Sequence, residues 1–241
     1  MPLQRIDKVI AGQLNMSRAD AKRLITGGKV TADGAVARVP EQKVDPAHAC
    51  ITVNGALLAY KPNIYIMLNK PVGVVSATRD TKQKTVLDLV PAPLARKGLF
   101  PAGRLDKDTV GFVLITDDGA LAHRMLSPKS HVPKTYLAAL DSLPDEQGMN
   151  RLMRGIDLGD GTLCRPARLR VVEAEQPNTV EIIITEGMYH QIKRMFAASD
   201  RQVLHLKRVA IGALPLDETL PEGQCKEIFH KDVEKLLTPA F

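Results

Sequence analysis

The sequence predicts an α+β protein built as a small N-terminal unit over residues 1–59 and a larger unit over residues 60–241. Three observations predict it. Apolar residues at helical spacing open the chain, and short strand-like runs hinged on Asp33-Gly34 and Asn54-Gly55 follow them. From Ile64 onward, short β-branched or apolar runs alternate with few helical segments, which is the pattern of a largely antiparallel sheet and not of a βαβ repeat. Between the two parts, Tyr60-Lys61-Pro62-Asn63 reads as a linker.

In the small unit, Leu3, Ile6, Val9, Ile10 and Leu14 recur at helical spacing. Ser17 has the chemistry of an N-cap, with Asp20 three residues on in a capping-box arrangement. On the helix that follows, Ala21, Leu24 and Ile25 face inward, and Gly27-Gly28 ends it. Strands are expected at Lys29–Thr31, Ala35–Ala37, Cys50–Val53 and Leu57–Leu58. In the larger unit, strands are expected at Ile64–Leu68 and Val72–Ser76 on either side of Asn69-Lys70-Pro71, then at Phe112–Thr116, Thr135–Leu140, Arg168–Val172 and Thr179–Thr185. Helices are expected at Ala120–Leu126, stopped by Ser127-Pro128, and at Asp145–Arg154 and Tyr189–Ala198. No internal repeat or low-complexity tract interrupts this order.

Composition narrows the class. A hydrophobic content of 44% supports a real core, and charged residues at 25% are ordinary for a globular chain. The formal net charge of +6 favours a polyanionic partner without naming one. The small unit carries 8 Lys and Arg against 5 Asp and Glu, and the larger unit 25 against 22, so the small unit has more positive charge per residue. The opening residues lack the apolar core of a signal peptide, and no apolar run has the length of a membrane span, so a cytoplasmic protein is expected. Cys50, Cys164 and Cys225 are odd in number and scattered, which supports neither a disulfide framework nor a zinc knuckle.

Several chemistries are excluded by pattern. The chain has no P-loop, no dinucleotide fingerprint, no H-E-x-x-H and no nucleophile elbow. Asp106, Asp108, Asp117 and Asp118 do not have calcium-loop spacing, and Asp117-Asp118-Gly119 is a natural strand-to-helix turn, so no metal site is expected. What remains is Asp106, two residues after Arg104 in the loop Gly103–Gly111, just before a strongly apolar strand. That layout presents one fixed carboxylate beside a cation able to hold a phosphate. Two later segments join it: Lys134-Thr135-Tyr136 at the start of a strand, and Glu186-Gly187-Met188-Tyr189-His190-Gln191-Ile192-Lys193-Arg194-Met195-Phe196 at a strand-to-helix turn. On that helix Tyr189, Ile192 and Phe196 are expected on one apolar face, with His190, Lys193 and Arg194 off it and a helix N-terminus suited to an anion.

Residues Ser17 to Gly34 resemble the S4 RNA-binding domain, and the resemblance implies contact with RNA phosphates through Arg18, Lys22, Arg23 and Lys29. Asn69-Lys70-Pro71-Val72-Gly73, Gly103-Arg104-Leu105-Asp106, Lys134-Thr135-Tyr136 and Glu186-Gly187-x-x-His190-Gln191-x-Lys193-Arg194-Met195 occur in that order. Together they resemble the S4-bearing ribosomal RNA pseudouridine synthases, and Tyr189 to Phe196 is most similar to the small-subunit (16S) RsuA type. The resemblance implies a mixed, mostly antiparallel curved sheet with flanking helices and a central cleft.

It also implies a reaction: isomerisation of a uridine within RNA, with no cofactor and no metal. Asp106 matches the family's essential aspartate, as nucleophile or as base in the competing glycal route. Tyr136 matches the tyrosine that stacks on the flipped uracil, and Lys193 the cation paired with the aspartate. Arg104 matches the arginine that helps extrude the base, which must first leave its stack. Val110, Phe112 and Met188 depart from the family's usual residues, and none of the three is a site residue. The partner so implied is 16S ribosomal RNA or a small-subunit assembly intermediate, acted on by a monomer. The alternatives are a relative acting on 23S RNA or tRNA, and a non-catalytic S4-type assembly factor. The second has no use for a carboxylate facing a polyanion.

Overall fold

The computed structural model describes residues 2–127, 129–174 and 176–238. The chain divides into two compact units, Met1–Ile64 with Ala92–Leu99, and Tyr65–Pro91 with Phe100–Phe241. The division falls after Ile64 where the sequence places it after residue 59. The Ala92–Leu99 segment returns to the small unit, where Arg96 donates to the carbonyls of Lys61 and Pro62 at 3.0 and 3.2 Å.

In the small unit, β1 (Gln4–Arg5) precedes α1 (Ile6–Gln13) and α2 (Arg18–Thr26). The expected helix beginning near Leu3 starts only at Ile6. Gln4 and Arg5 are extended because they pair with β4 (Lys43–Val44), which leaves Leu3 and Leu14 exposed beyond the helix ends. Ser17 caps α2 by accepting from the Asp20 N–H at 3.1 Å and donating to its carboxylate at 2.6 Å. β2 (Val30–Ala32), β3 (Ala35–Val36), β5 (Ile51–Val53) and β6 (Ala56–Leu57) form an antiparallel sheet in the order β3-β2-β5-β6. Its two hairpins turn at Asp33-Gly34 and Asn54-Gly55, where all four residues have positive φ, as a two-residue hairpin of this twist requires. Ile6, Ile10, Ala21, Ile25, Val30 and Ile51 close the core between helices and sheet.

The larger unit is one mixed sheet. It comprises β7 (Tyr65–Lys70), β8 (Phe100–Pro101), β9 (Val110–Thr116), β10 (Lys134–Leu140), β11 (Arg168–Val171), β12 (Thr179–Ile184), β13 (Val203–Ile211), β14 (Leu214–Pro215) and β15 (Cys225–Glu227). The main order is β11-β12-β10-β13-β9-β7-β15, and every pairing is antiparallel except β13 with β9. The expected mixed, mostly antiparallel α+β architecture is therefore present. Helices α3 (Gly119–Leu126), α4 (Glu146–Arg154), α5 (Gln191–Ala197) and α6 (His230–Val233) accompany the sheet. Leu121, Ala122 and Met125 of α3 pack with Met67, Phe112 and Leu114 and with Leu236 near the C-terminus. Pro128, expected to stop α3, lies outside the described residues. No described helix is long and apolar enough to cross a membrane.

Two strand expectations need correction. Val72–Ser76 is not a strand: Pro71 lacks an N–H, Gly73 turns at φ 86°, and only Val75 makes a bridge, to Thr85. Conversely β13, nine residues long and central, carries His205, Lys207 and Arg208. Those charges hide it from a search for apolar runs.

The parallel β13–β9 pair fixes where the chemistry can sit. Gly111 pairs with Arg208 and has φ 99°; a Cβ built on it meets the Arg208 carbonyl oxygen at 2.3 Å and its nitrogen at 2.9 Å. Any side chain at this position both strains the backbone and pushes β13 away. Gly111→Ala is predicted to destabilise the larger unit by about 3 kcal/mol or more. Denaturant unfolding of that unit checks this, and a variant unfolding with the wild type contradicts the close approach.

Candidate active site

The loop Ala102–Thr109 enters β9 and is held at both ends. Ala102 N–H bonds the Leu114 carbonyl at 2.7 Å, and the Ser76 hydroxyl meets both the N–H and the carbonyl of Leu105 at 3.0 Å. Thr109 N–H closes a turn on the Asp106 carbonyl at 3.1 Å, and Gly73 N–H bonds the Lys107 carbonyl at 2.9 Å.

The strongest restraint comes from Lys70, whose side chain is wholly buried. Its ammonium donates to the carbonyls of Pro71, Lys107 and Thr109 at 3.1, 3.2 and 2.8 Å, using all three of its donors. Its neighbour Asn69 points the other way along the pleat and donates to the Leu220 carbonyl at 2.8 Å. The Asn69-Lys70 pair thus ties the sheet to the C-terminal segment on one side and to the Asp106 loop on the other.

With the backbone so held, the Asp106 carboxylate remains about one-third exposed, at 30%. Two basic side chains reach it from the far segment. His190 Nε2 stands 3.6 Å from Oδ1, and Lys193 Nζ stands 3.7 Å from Oδ2. The closer partner of Lys193 is Asp108, bonded through both oxygens at 2.6 and 2.7 Å. Lys193 holds the Asp108 carboxyl below the usual carboxylate range, against a smaller opposing effect of burial. Asp108 is therefore part of the site, not the plain loop residue its position implies from sequence.

The turn before α5 also differs from expectation. The helix begins at Gln191, not Tyr189, so Tyr189 is exposed and stacks on His190 instead of joining the buried Ile192 and Phe196. Part of the helix start, expected to suit an anion, is taken up by the chain itself. The Gln191 side chain accepts from Met188 N–H at 3.0 Å and donates to Glu186 at 2.6 Å, while Gln191 N–H is spent on the Met188 carbonyl. His190 takes up a left-handed conformation, φ 49°, which swings its ring toward Asp106.

Tyr136 lies on β10 with its ring buried, 8% exposed. It pairs with Arg208 of β13, which in turn pairs with Gly111 of β9, so the sheet register carries Tyr136 toward the Asp106 loop. Arg208 is the residue of this cluster that the sequence pattern does not reveal. It is buried, donates from Nε to the Phe112 carbonyl at 2.7 Å, and places Nη1 3.4 Å from the Tyr136 hydroxyl. A long charged residue facing inward from a central strand is the signal that could have found it, and recognising β13 was the missing step. Lys134, two residues before Tyr136, is pushed down to about 8 by burial and by the nearby Arg208 charge. Arg104 is exposed on the loop itself.

The basic side chains expected to meet RNA on the small unit are mostly engaged with carboxylates. Arg18 bonds both oxygens of the wholly buried Asp7 at 3.2 and 3.0 Å, and Arg5 bonds them as well, at 3.1 and 2.8 Å. Arg5, and then Arg18, hold the Asp7 carboxyl below its ordinary range against its burial. Lys22 lies 3.6 Å from Glu41, Arg23 pairs with Asp20, and Lys29 is exposed. Among the described residues, no group of three or more His, Cys, Asp or Glu side chains gathers as a metal site.

An S4 domain spans residues 4–50 and an RNA pseudouridylate synthase domain residues 64–198, so the chain belongs to the RNA pseudouridylate synthases, in their S4-bearing form, and is an isomerase. Its relatives sharpen that class. It is 42% identical over 236 residues to the uncharacterized RNA pseudouridine synthase YtzG of Bacillus subtilis (strain 168), across 98% of this chain and 99% of the relative. It is 41% identical over 234 residues to ribosomal small subunit pseudouridine synthase A of Escherichia coli (strain K12), across 97% and 100%. A solved pseudouridylate synthase superposes with a TM-score of 0.66 at 37% identity, covering 96% of this chain and 99% of that one.

The Lys70 geometry has a pH signature. Burial pushes the Lys70 ammonium down to about 8. Below that pH it is charged and makes all three bonds; above it the amine has one donor fewer and the loop loosens. For stability the sign is opposite. An unfolded lysine keeps its proton to about 10.4, so the penalty for burying the charge is relieved between about 8 and 10.4. Activity is therefore predicted to fall along an alkaline limb with a midpoint near 8, without loss of fold. Lys134→Met, which removes the other amine depressed to a similar value, should leave the limb in place. A pH–rate profile flat to about 10, or a limb that vanishes in Lys134→Met, contradicts this.

Proposed function

We propose that this chain isomerises one uridine of 16S ribosomal RNA to pseudouridine, in the cytoplasm, on free RNA or on a small-subunit assembly intermediate. The observation that carries the reading is the Asp106 carboxylate, held by its backbone, part-exposed, and flanked by His190 and Lys193. A carboxylate facing a polyanion opposes binding, and the Lys193 ammonium 3.7 Å away offsets that repulsion without closing a hydrogen bond to it. The small-subunit preference is supported by the Escherichia coli relative named for that substrate and by the Tyr189-His190-Gln191-Ile192-Lys193-Arg194-Met195 segment.

The reaction conserves atoms. The N1–C1′ bond of uridine breaks, the uracil turns, C5 bonds to C1′, and the C5 proton is exchanged for one at N1. Asp106 acts at the ribose, either by attacking C1′ as the N1–C1′ bond breaks and leaving again when C5 attacks, or by taking the C2′ proton as that bond breaks to give a glycal and returning it when C5 bonds to C1′. Lys193 stands beside the carboxylate as a counter-charge, and its bond to Asp108 fixes the ammonium between the two loop carboxylates. Tyr136 receives the flipped uracil, with Arg208 fixing the phenol. Arg104, exposed beside Asp106, holds a phosphate of the strand from which the base is drawn. On the small unit, Arg18 and Arg5 are pre-oriented by Asp7, and with Lys22, Arg23 and Lys29 they give the RNA a basic anchor.

Deleting the gene and mapping pseudouridines across ribosomal RNA by carbodiimide modification and reverse transcription tests the proposal. The expected result is one missing site in 16S RNA, restored by the wild-type gene and not by Asp106→Asn. An unchanged 16S pattern overturns the substrate, and restoration by Asp106→Asn overturns the role of the carboxylate.

A further inference from the structure

We infer that Tyr189, backed by His190, is a stacking platform for the base of a nucleotide next to the target uridine. The inference rests on Asp106 as the reacting carboxylate. Tyr189 is 76% exposed, yet its ring is not loose: it lies on the His190 ring with centroids 3.9 Å apart and planes 16° from parallel. The edge of that imidazole is turned to the loop, with Nε2 3.6 Å from Asp106 Oδ1. The order outward from the reacting centre is therefore carboxylate, imidazole, phenol, solvent.

The spacing suits a nucleobase. Stacked nucleotides rise by roughly 3.4 Å, so a base placed on the open face of Tyr189 extends a stack that the protein has already begun. When the target uridine is drawn out so that its sugar meets Asp106, its neighbours lose a stacking partner. A pinned aromatic one ring away restores one.

Composition narrows the choice. The chain has no Trp, four Tyr and five Phe. Among the described aromatic residues only Tyr189 and Phe229 are exposed, and only Tyr189 belongs to the cluster around Asp106. A single exposed tyrosine needs no special account. One locked in a parallel stack, with its partner held in a left-handed backbone beside the catalytic candidate, does.

The test separates stacking from structure and from chemistry. The probe is a single-stranded oligouridylate carrying 2-aminopurine beside one uridine, with binding followed by the anisotropy of an end label. Bound wild-type enzyme, Tyr189→Phe and Asp106→Asn should each quench the 2-aminopurine, while Tyr189→Leu, apolar but without a π-face, should leave it bright. In parallel, tritium release is measured from [5-³H]uridine-labelled RNA and ribosomal particles of a strain lacking the gene, which contain the substrate whichever RNA it is. Tyr189→Leu should lose about tenfold in kcat/KM, Tyr189→Phe should be near wild type, and both should melt with the wild type. Equal quenching by Tyr189→Leu, absence of quenching or binding by the wild type, or an unchanged kcat/KM for Tyr189→Leu overturns the platform. Quenching by Tyr189 with no 16S site in the deletion map would overturn the substrate proposal and leave the platform standing.

Discussion

The site depends on a buried ammonium bonded to three backbone carbonyls. Lys70 ends β7, a strand that lies between β9 and β15, and its three donors end on carbonyls of Pro71, Lys107 and Thr109. Two of those carbonyls, of Lys107 and Thr109, flank Asp108, and Lys107 directly follows Asp106, so one point charge holds the loop at two places. Burying that charge is expensive unless every proton is bonded, and here every proton is. Water would serve the same carbonyls equally well, but it would let the loop choose among conformations. The lysine leaves it one.

The second constraint is the exchange of strand direction in the middle of the sheet. β13 runs parallel to β9 and antiparallel to β10, so a single residue, Arg208, is opposite Gly111 on one side and Tyr136 on the other. The absence of a side chain at Gly111 lets the backbones approach, and the Arg208 guanidinium then bridges the Phe112 carbonyl and the Tyr136 hydroxyl. The loop carboxylate and the tyrosine are thus placed by the same strand. Lys193 and His190 come from the α5 turn, which the Gln191 side chain fixes to Glu186.

Much of this was legible in the sequence, because local chemistry and global fold agree there. Ser17 and Asp20 announce α2, Asp33-Gly34 and Asn54-Gly55 announce hairpins, and Asp106 stands out as a carboxylate with no structural duty. What was not legible depends on contacts between distant segments. Whether Lys193 faces Asp106 or Asp108 is decided by ångströms, not spacing, and the structure gives the closer bond to Asp108. Helical periodicity placed Tyr189 inside α5, but the Gln191 side chain caps the turn two residues later and turns Tyr189 outward. Arg18 looked like a free cation on a basic helix, and its partner Asp7 is eleven residues back on another helix. β13 escaped because His205, Lys207 and Arg208 break its apolar pattern, so the strand that joins Tyr136 to Gly111 has the least regular sequence.

The central claim is that catalysis depends on where the anchored backbone places one carboxylate, not merely on a carboxylate being present. Asp106→Glu keeps the charge and lengthens the side chain by one methylene from the same fixed loop. Single-turnover conversion of bound RNA by this variant measures the claim directly. Misplacement by about 1 Å costs on the order of a hundredfold, so the account predicts at least that loss in the chemical step with RNA affinity unchanged. A glutamate enzyme that turns over bound RNA at the wild-type rate would contradict it.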